Sequence, residues 1–280
     1  MGLGAMKWAW QQMTKDLGHD QSSKYSCLVF DNRGIGESDK PSTRYSTSEM
    51  ARDTQELLDH LGWTEQRQLH VLGVSMGGMI AQELGLLIPE RIASLSLAST
   101  AARLVNTVGF FENLRSRINM FIPRPIDIQL QSIKAQLFSQ AWLNAADDEY
   151  IVEAFPTKGD RFAALELRKR RDTEGFTRKG FILQAIAAGW HHKSAAQIKE
   201  LGDRVGRDRI QVVYGSIDRM ITPPHGQVLV NELGGEAMGT TVVIFEGRGH
   251  VLCVEERKRF ERVLEAFVNK TAALDTASRR

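Results

Sequence analysis

The amino-acid sequence predicts an α/β protein built on a mostly parallel, doubly wound sheet. Three observations carry that expectation. Short apolar runs rich in β-branched residues alternate with stretches of helical period. The loops after the runs carry glycine and acidic residues. The alternation breaks once, between about Ala101 and Asp203, into several short helical patterns interrupted at Pro123, Pro125 and Pro156. Strands alternating with helices are joined by crossovers, and those produce a parallel sheet covered on both faces.

In chain order, the pattern predicts a helix from Trp8 to Leu17 and a strand from Ser26 to Phe30. A second helix is opened by the capping box Ser46-Thr47-Ser48-Glu49 and turns Met50, Leu57, Leu58 and Leu61 inward. The run Leu69-His70-Val71-Leu72 reads as a strand, followed by a helix marked by Met79, Ile80, Leu84, Leu87 and Ile88. Further strands are expected at Ile92 to Leu97, Ile210 to Tyr214 and Thr241 to Phe245, with a helix beginning near Pro223. The last helix, Glu255 to Lys270, places Phe260, Val263, Leu264 and Phe267 toward the sheet, and the tail Thr271 to Arg280 reads as frayed.

Composition bounds the class. With 280 residues the chain can bury a sizeable core, and 42% hydrophobic with 25% charged residues is ordinary for a soluble globular protein. A formal charge of +2 gives no reason to expect a nucleic-acid or membrane partner. Cys27 and Cys253 have neither metal nor disulfide spacing, so free thiols in a reducing, cytoplasmic setting are expected. No signal-type segment, membrane span, repeat or cofactor motif is read from the chain.

Gly73-Val74-Ser75-Met76-Gly77-Gly78 sets a glycine-flanked serine between a strand and a helix. A serine at so tight a turn takes a strained backbone conformation, and Gly73 and Gly77 leave room for strand and helix to close around it. The Ser75 hydroxyl then projects beyond the strand. The N–H of Met76, at the helix N-terminus, points to where an oxyanion would form. A serine N-cap in an ordinary turn is the plainer reading of the same pattern.

A serine hydroxyl is a weak nucleophile, so the pattern needs a base and an acid to orient that base. Asp218, in Gly215-Ser216-Ile217-Asp218 just past one predicted strand, is the candidate acid. His250, in Glu246-Gly247-Arg248-Gly249-His250 past another, is the candidate base. All three residues follow the carboxyl ends of strands, where open α/β sheets keep their sites. Each has a plainer alternative: Asp218 as a turn or cap residue, His250 as a polar loop residue. His70 is expected in the core, while His19, His60 and His225 are expected in solvated positions. His191 and His192 lack the partners a metal site requires.

Together with Phe30-Asp31-Asn32-Arg33-Gly34-Ile35-Gly36-Glu37-Ser38-Asp39, these motifs resemble the α/β-hydrolase family, over most of residues 1 to 101 and about 205 to 270. The resemblance implies a core formed by residues 1–101 and 204–280, N-terminally shortened, with residues 102–203 as a helical lid insertion. Phe110, Phe111, Phe121, Ile122, Phe138, Trp142, Phe181 and Trp190 offer that lid an apolar lining, with packing between lid and core as the plainer role. Met220, in the esterase-like segment Asp218-Arg219-Met220-Ile221-Thr222-Pro223-Pro224-His225-Gly226, is a further substrate contact. Arg168-Lys169-Arg170-Arg171 reads as a solvated helix face, or else as a site for a carboxylate.

Met1-Gly2-Leu3-Gly4 stands where members carry a His-Gly pair, which implies that Leu3 gives the second oxyanion N–H and that Trp10 matches an aromatic of the family. The family's first three strands then lie outside this sequence, either because the chain is the later part of a longer one or because a reduced sheet pairs as a homodimer along its open edge. The expected activity is that of a serine hydrolase acting on a small or medium apolar ester, without cofactor or metal. A lactonase or carbon–carbon bond hydrolase with the same triad is the first alternative, and a hydrolase-fold ligand-binding protein the second.

Overall fold

The computed structural model describes residues 1–105, 125–148 and 154–278. Among them are four strands, β1 (Leu69–Val74), β2 (Ile92–Ala98), β3 (Ile210–Gly215) and β4 (Thr241–Phe245). They lie in the order β1-β2-β3-β4, every neighbouring pair parallel. β2 and β3 are buried along their whole length, as parallel strands covered on both faces are.

Alternation along the strands divides the core into two layers. On one face Leu95, Leu97, Ile210, Val212 and Tyr214 meet helices Thr47–His60, Met76–Leu87, Ala195–Val205 and Pro223–Glu232. On the other, Val74, Ala98, Val213 and Phe245 meet Met13, Leu252, Phe260 and Leu264. Ser46 caps helix Thr47–His60 by accepting the Glu49 N–H at 3.1 Å, as its capping box predicts, but Leu61 is exposed rather than inward. Among the described residues, no helix is long and apolar enough to cross a membrane.

Several expectations are corrected. Residues 26–30 make no ladder hydrogen bonds, and with Cys27 and Val29 exposed they form a border segment rather than a strand. The predicted helix Trp8 to Leu17 is a 3₁₀ turn (Lys7–Trp10), a short α turn (Gln11–Met13) and a π turn (Thr14–His19). The Thr14 hydroxyl bonds back to the carbonyls of Trp10 and Gln11, offering the backbone a competitor to a regular helix. His70 lies exposed on the border strand, its Nδ1 2.8 Å from Ser94 Oγ, rather than in the core. The final helix runs Arg257–Ser278; Thr271 is buried and Asp275 pairs with Arg209 at 2.5 Å, so the tail is helical past Lys270.

Between β2 and β3 stand helices Ile126–Leu137, Gln140–Asn144, Lys158–Arg171 and Arg178–Gly189. Helix Ala195–Val205 follows, and its Ile198, Leu201 and Val205 belong to the sheet core. The segment read as an insertion, 102–203, therefore ends inside a core helix.

Candidate active site

Ser75 ends β1 with φ +57° and ψ −123°. That is a sterically costly region for a residue with a Cβ, and it persists only where the surroundings hold it. Here the Ser75 N–H donates to Ala98 O at 2.9 Å, and Ser75 O accepts from Gly78 N at 2.9 Å and from Thr100 Oγ1 at 2.7 Å. A Cβ on Gly73 would stand 2.7 Å from Gly78 Cα, and one on Gly77 would stand 2.6 Å from Met1 N, so neither position admits a side chain without a shift. Thr100, which no sequence motif marks, is thus part of the elbow.

Past β3 and β4, the buried Asp218 and His250 form a pair, with Asp218 Oδ2 2.7 Å from His250 Nδ1. The other carboxylate oxygen accepts the N–H groups of Met220 and Ile221 at 2.8 and 2.9 Å. A carboxylate acceptor fixes the proton on Nδ1 and leaves Nε2 as the free base nitrogen. The histidine loop is itself pinned. His250 N donates to Leu137 O at 2.7 Å and Gly249 N to Glu255 Oε2 at 2.8 Å, while Glu255 Oε1 accepts from the hydroxyl and the N–H of Ser139. Met79 of the elbow helix shares one apolar cluster with Ala101 and with Ile221 of the acid loop. Among the described residues, the Ser75 hydroxyl makes no hydrogen bond to the His250 ring.

Gly2-Leu3-Gly4-Ala5 forms a tight turn closed by Ala5 N to Gly2 O at 3.2 Å. Gly4, at φ +64°, occupies the third position, where a type II turn demands a left-handed residue. A Cβ on Gly2 would lie 3.5 Å from Ser75 Cβ, so the turn borders the serine. The Leu3 N–H has no partner among the described residues, whereas Gly4 N donates to Gln184 Oε1 at 3.0 Å. The Asp31 carboxylate is a buckle: it accepts Lys7 N at 2.6 Å and Glu37 N at 3.1 Å, and Asn32 Nδ2 reaches Met1 O at 3.4 Å.

The residues expected to touch substrate fall in different places. Phe110 and Phe111, with Phe121 and Ile122, lie outside the described residues. Trp142 is buried, stacked on Phe138 at 4.3 Å, in a cluster with Phe162, Val251 and Val254 that supports the histidine loop. Met220 is exposed beside Asp218. Phe181 lies against Gly4. Trp190 is 71% exposed, with the Arg44 guanidinium lying over its ring, 4.4 Å from the ring centre. In the basic run, Lys169 pairs with Glu166 at 2.5 Å and Arg170 donates to Gln129 at 2.8 Å.

His225, expected in solvent, is buried and accepts Val105 N at 3.2 Å, and burial lowers its pKa. His191, its side chain fully buried 2.9 Å from Thr47 Oγ1, is lowered to about 3 by burial and then by Lys193 and His192. Burial pushes the free thiol of Cys253 up to about 12. Among the described residues, no cluster of three or more His, Cys, Asp or Glu side chains could hold a metal ion.

The family model described as the alpha/beta hydrolase fold matches residues 1–257. Over 94 residues, 34% of each chain, the sequence is 38% identical to a protein of Mycobacterium tuberculosis provisionally named non-heme bromoperoxidase BpoC, so it matches about a third of that relative's length. It is 25% identical over 268 residues to 3-oxoadipate enol-lactonase 2 of Acinetobacter baylyi, covering 96% of this chain and 86% of the relative. Among solved structures, a thermophilic esterase from Thermogutta terrifontis superposes with a TM-score of 0.71 at 19% identity, over 96% of this chain and 88% of the esterase.

Proposed function

The chain belongs to the alpha/beta hydrolase fold family, and on that premise we propose that it is a serine hydrolase cleaving a small or medium apolar carboxylic ester through an acyl-enzyme intermediate. The observation that carries the proposal is the buried Asp218–His250 pair, 2.7 Å apart, set beyond the same sheet edge as the strained Ser75. His250 Nε2 takes the Ser75 proton as the oxygen attacks the ester carbonyl. The N–H groups of Leu3 and Met76 receive the negative charge of the tetrahedral oxygen. Collapse breaks the carbon–oxygen bond and His250 returns the proton to the leaving alcohol. Water, deprotonated by the same ring, then releases the acid from Ser75. The serine–histidine contact closes when substrate arrives, as catalytic hydrogen bonds that are long in free enzymes do.

In this proposal the helices between β2 and β3 act as the lid, with Phe181 nearest the oxyanion turn. A lactone is the second substrate class, favoured by the similarity to an enol-lactonase along nearly the whole chain. A series of p-nitrophenyl esters of rising acyl length, run beside a lactone, tests both. The expected result is saturable ester hydrolysis with a preferred acyl length, abolished in Ser75→Ala. Folded wild-type chain that turns over neither class would refute the proposal.

A further inference from the structure

We propose that Gln184 is a positioning residue for the oxyanion turn, so that helix Arg178–Gly189 sets how well the tetrahedral intermediate is held. The proposal rests on the serine-hydrolase reading above. Gln184 is fully buried, and its amide makes two hydrogen bonds to backbone far away in sequence. Oε1 accepts Gly4 N at 3.0 Å and Nε2 donates to Arg33 O at 2.9 Å. One partner is only a donor and the other only an acceptor, which fixes the amide's orientation. The same helix lays Phe181 against Gly4 and presses Gly180 onto the Gly34 carbonyl.

In a turn with a left-handed third residue, the Leu3–Gly4 peptide has a flipped alternative that exchanges the Gly4 N–H for the Leu3 carbonyl. An acceptor facing that peptide selects the state in which the Gly4 N–H points to the helix, because the flipped state would oppose two carbonyl oxygens in a buried place. Anchored through the Gly4 N–H, the whole turn is held against helix Arg178–Gly189, and with it the Leu3 N–H, which has no partner among the described residues, in the turn that borders Ser75. Gln184 touches neither substrate nor Ser75 in this arrangement and acts through the turn.

The test compares wild type, Gln184→Met and Gln184→Glu, with kcat expressed per serine titrated by a fluorophosphonate. Methionine matches the length of glutamine and removes both bonds, whereas glutamate keeps the acceptor for Gly4. The expected result for Gln184→Met is a fall in kcat of roughly 10- to 100-fold, smaller than the loss of an oxyanion donor itself, with KM within about threefold. Gln184→Glu is expected to fall between the methionine variant and wild type. A Gln184→Met chain that keeps wild-type kcat per titrated serine overturns the proposal and leaves the hydrolase reading intact. A wild-type chain not labelled at Ser75 overturns that reading, and this proposal with it. Should the methionine variant fail to fold, amide exchange of the wild-type chain decides: a protected Gly4 amide supports the proposal, and a freely exchanging one rejects it.

Discussion

Asp218 shows how far a single residue is committed by its surroundings. Its two oxygens accept from Met220 N, Ile221 N and the His250 ring. An asparagine must turn its NH₂ toward either the two backbone N–H groups or the ring. The second choice puts the ring proton on Nε2, the nitrogen that the proposed mechanism uses as base. Asp218→Asn is therefore expected to lower kcat by about 10⁴-fold with KM nearly unchanged, as steady-state kinetics would show. Cys253 offers a simpler check. With its thiol pushed up to about 12 by burial, iodoacetamide at pH 8 should modify native chain at Cys27 alone, as read by peptide mapping. The placement of Ser75, Asp218 and His250 past the ends of strands was legible in the sequence because each sits in a short motif behind a strand run. Gln184, Thr100 and Glu255 were not, because their partners lie 180, 25 and 116 residues away and no local spacing encodes them.

Among elements, the strands were the most readable, since β1 to β4 closely follow their apolar runs. Residues 26–30 carry a similar pattern without becoming a strand, because ladder bonds are decided by a neighbour rather than by the run itself. Helix existence was also legible, but helix ends were set by contacts such as the Thr14 back-bond and the Arg209–Asp275 pair. The loop holding His250 depends on Glu255, buried between Ser139 and Gly249 with every donor pointing at it. Glutamine cannot accept on both sides at once, so one N–H is left facing an NH₂ group. Glu255→Gln is expected to destabilise the chain by about 1–3 kcal/mol in urea unfolding and to lower kcat as the histidine loop loosens. Unchanged stability would mean that the two contacts are dispensable.

At the scale of the whole molecule, one sheet edge carries the candidate chemistry while the two core layers hold the strands in register. Where helices Thr47–His60 and Met76–Leu87 meet the segment after Gly189, Thr47, Glu83, His191 and Lys193 form a buried polar knot. The His191 ring stays neutral in the folded chain down to about pH 3, while in the unfolded chain it protonates below about 6.5. The unfolded state thus binds more protons between those values. Stability is full above the upper value and falls as pH drops, by about 2 kcal/mol at pH 5 from this residue. Urea unfolding at pH 7 and pH 5 should show a smaller acid loss for His191→Gln than for wild type, and equal losses would refute the assignment. The most direct test of the central claim is to treat the folded chain with a fluorophosphonate and map the adduct by mass spectrometry. A single adduct on Ser75, absent in Ser75→Ala and formed at least about 10³-fold more slowly in His250→Ala, is the expected result. An adduct on another residue, or no adduct on chain that hydrolyses esters, would contradict it.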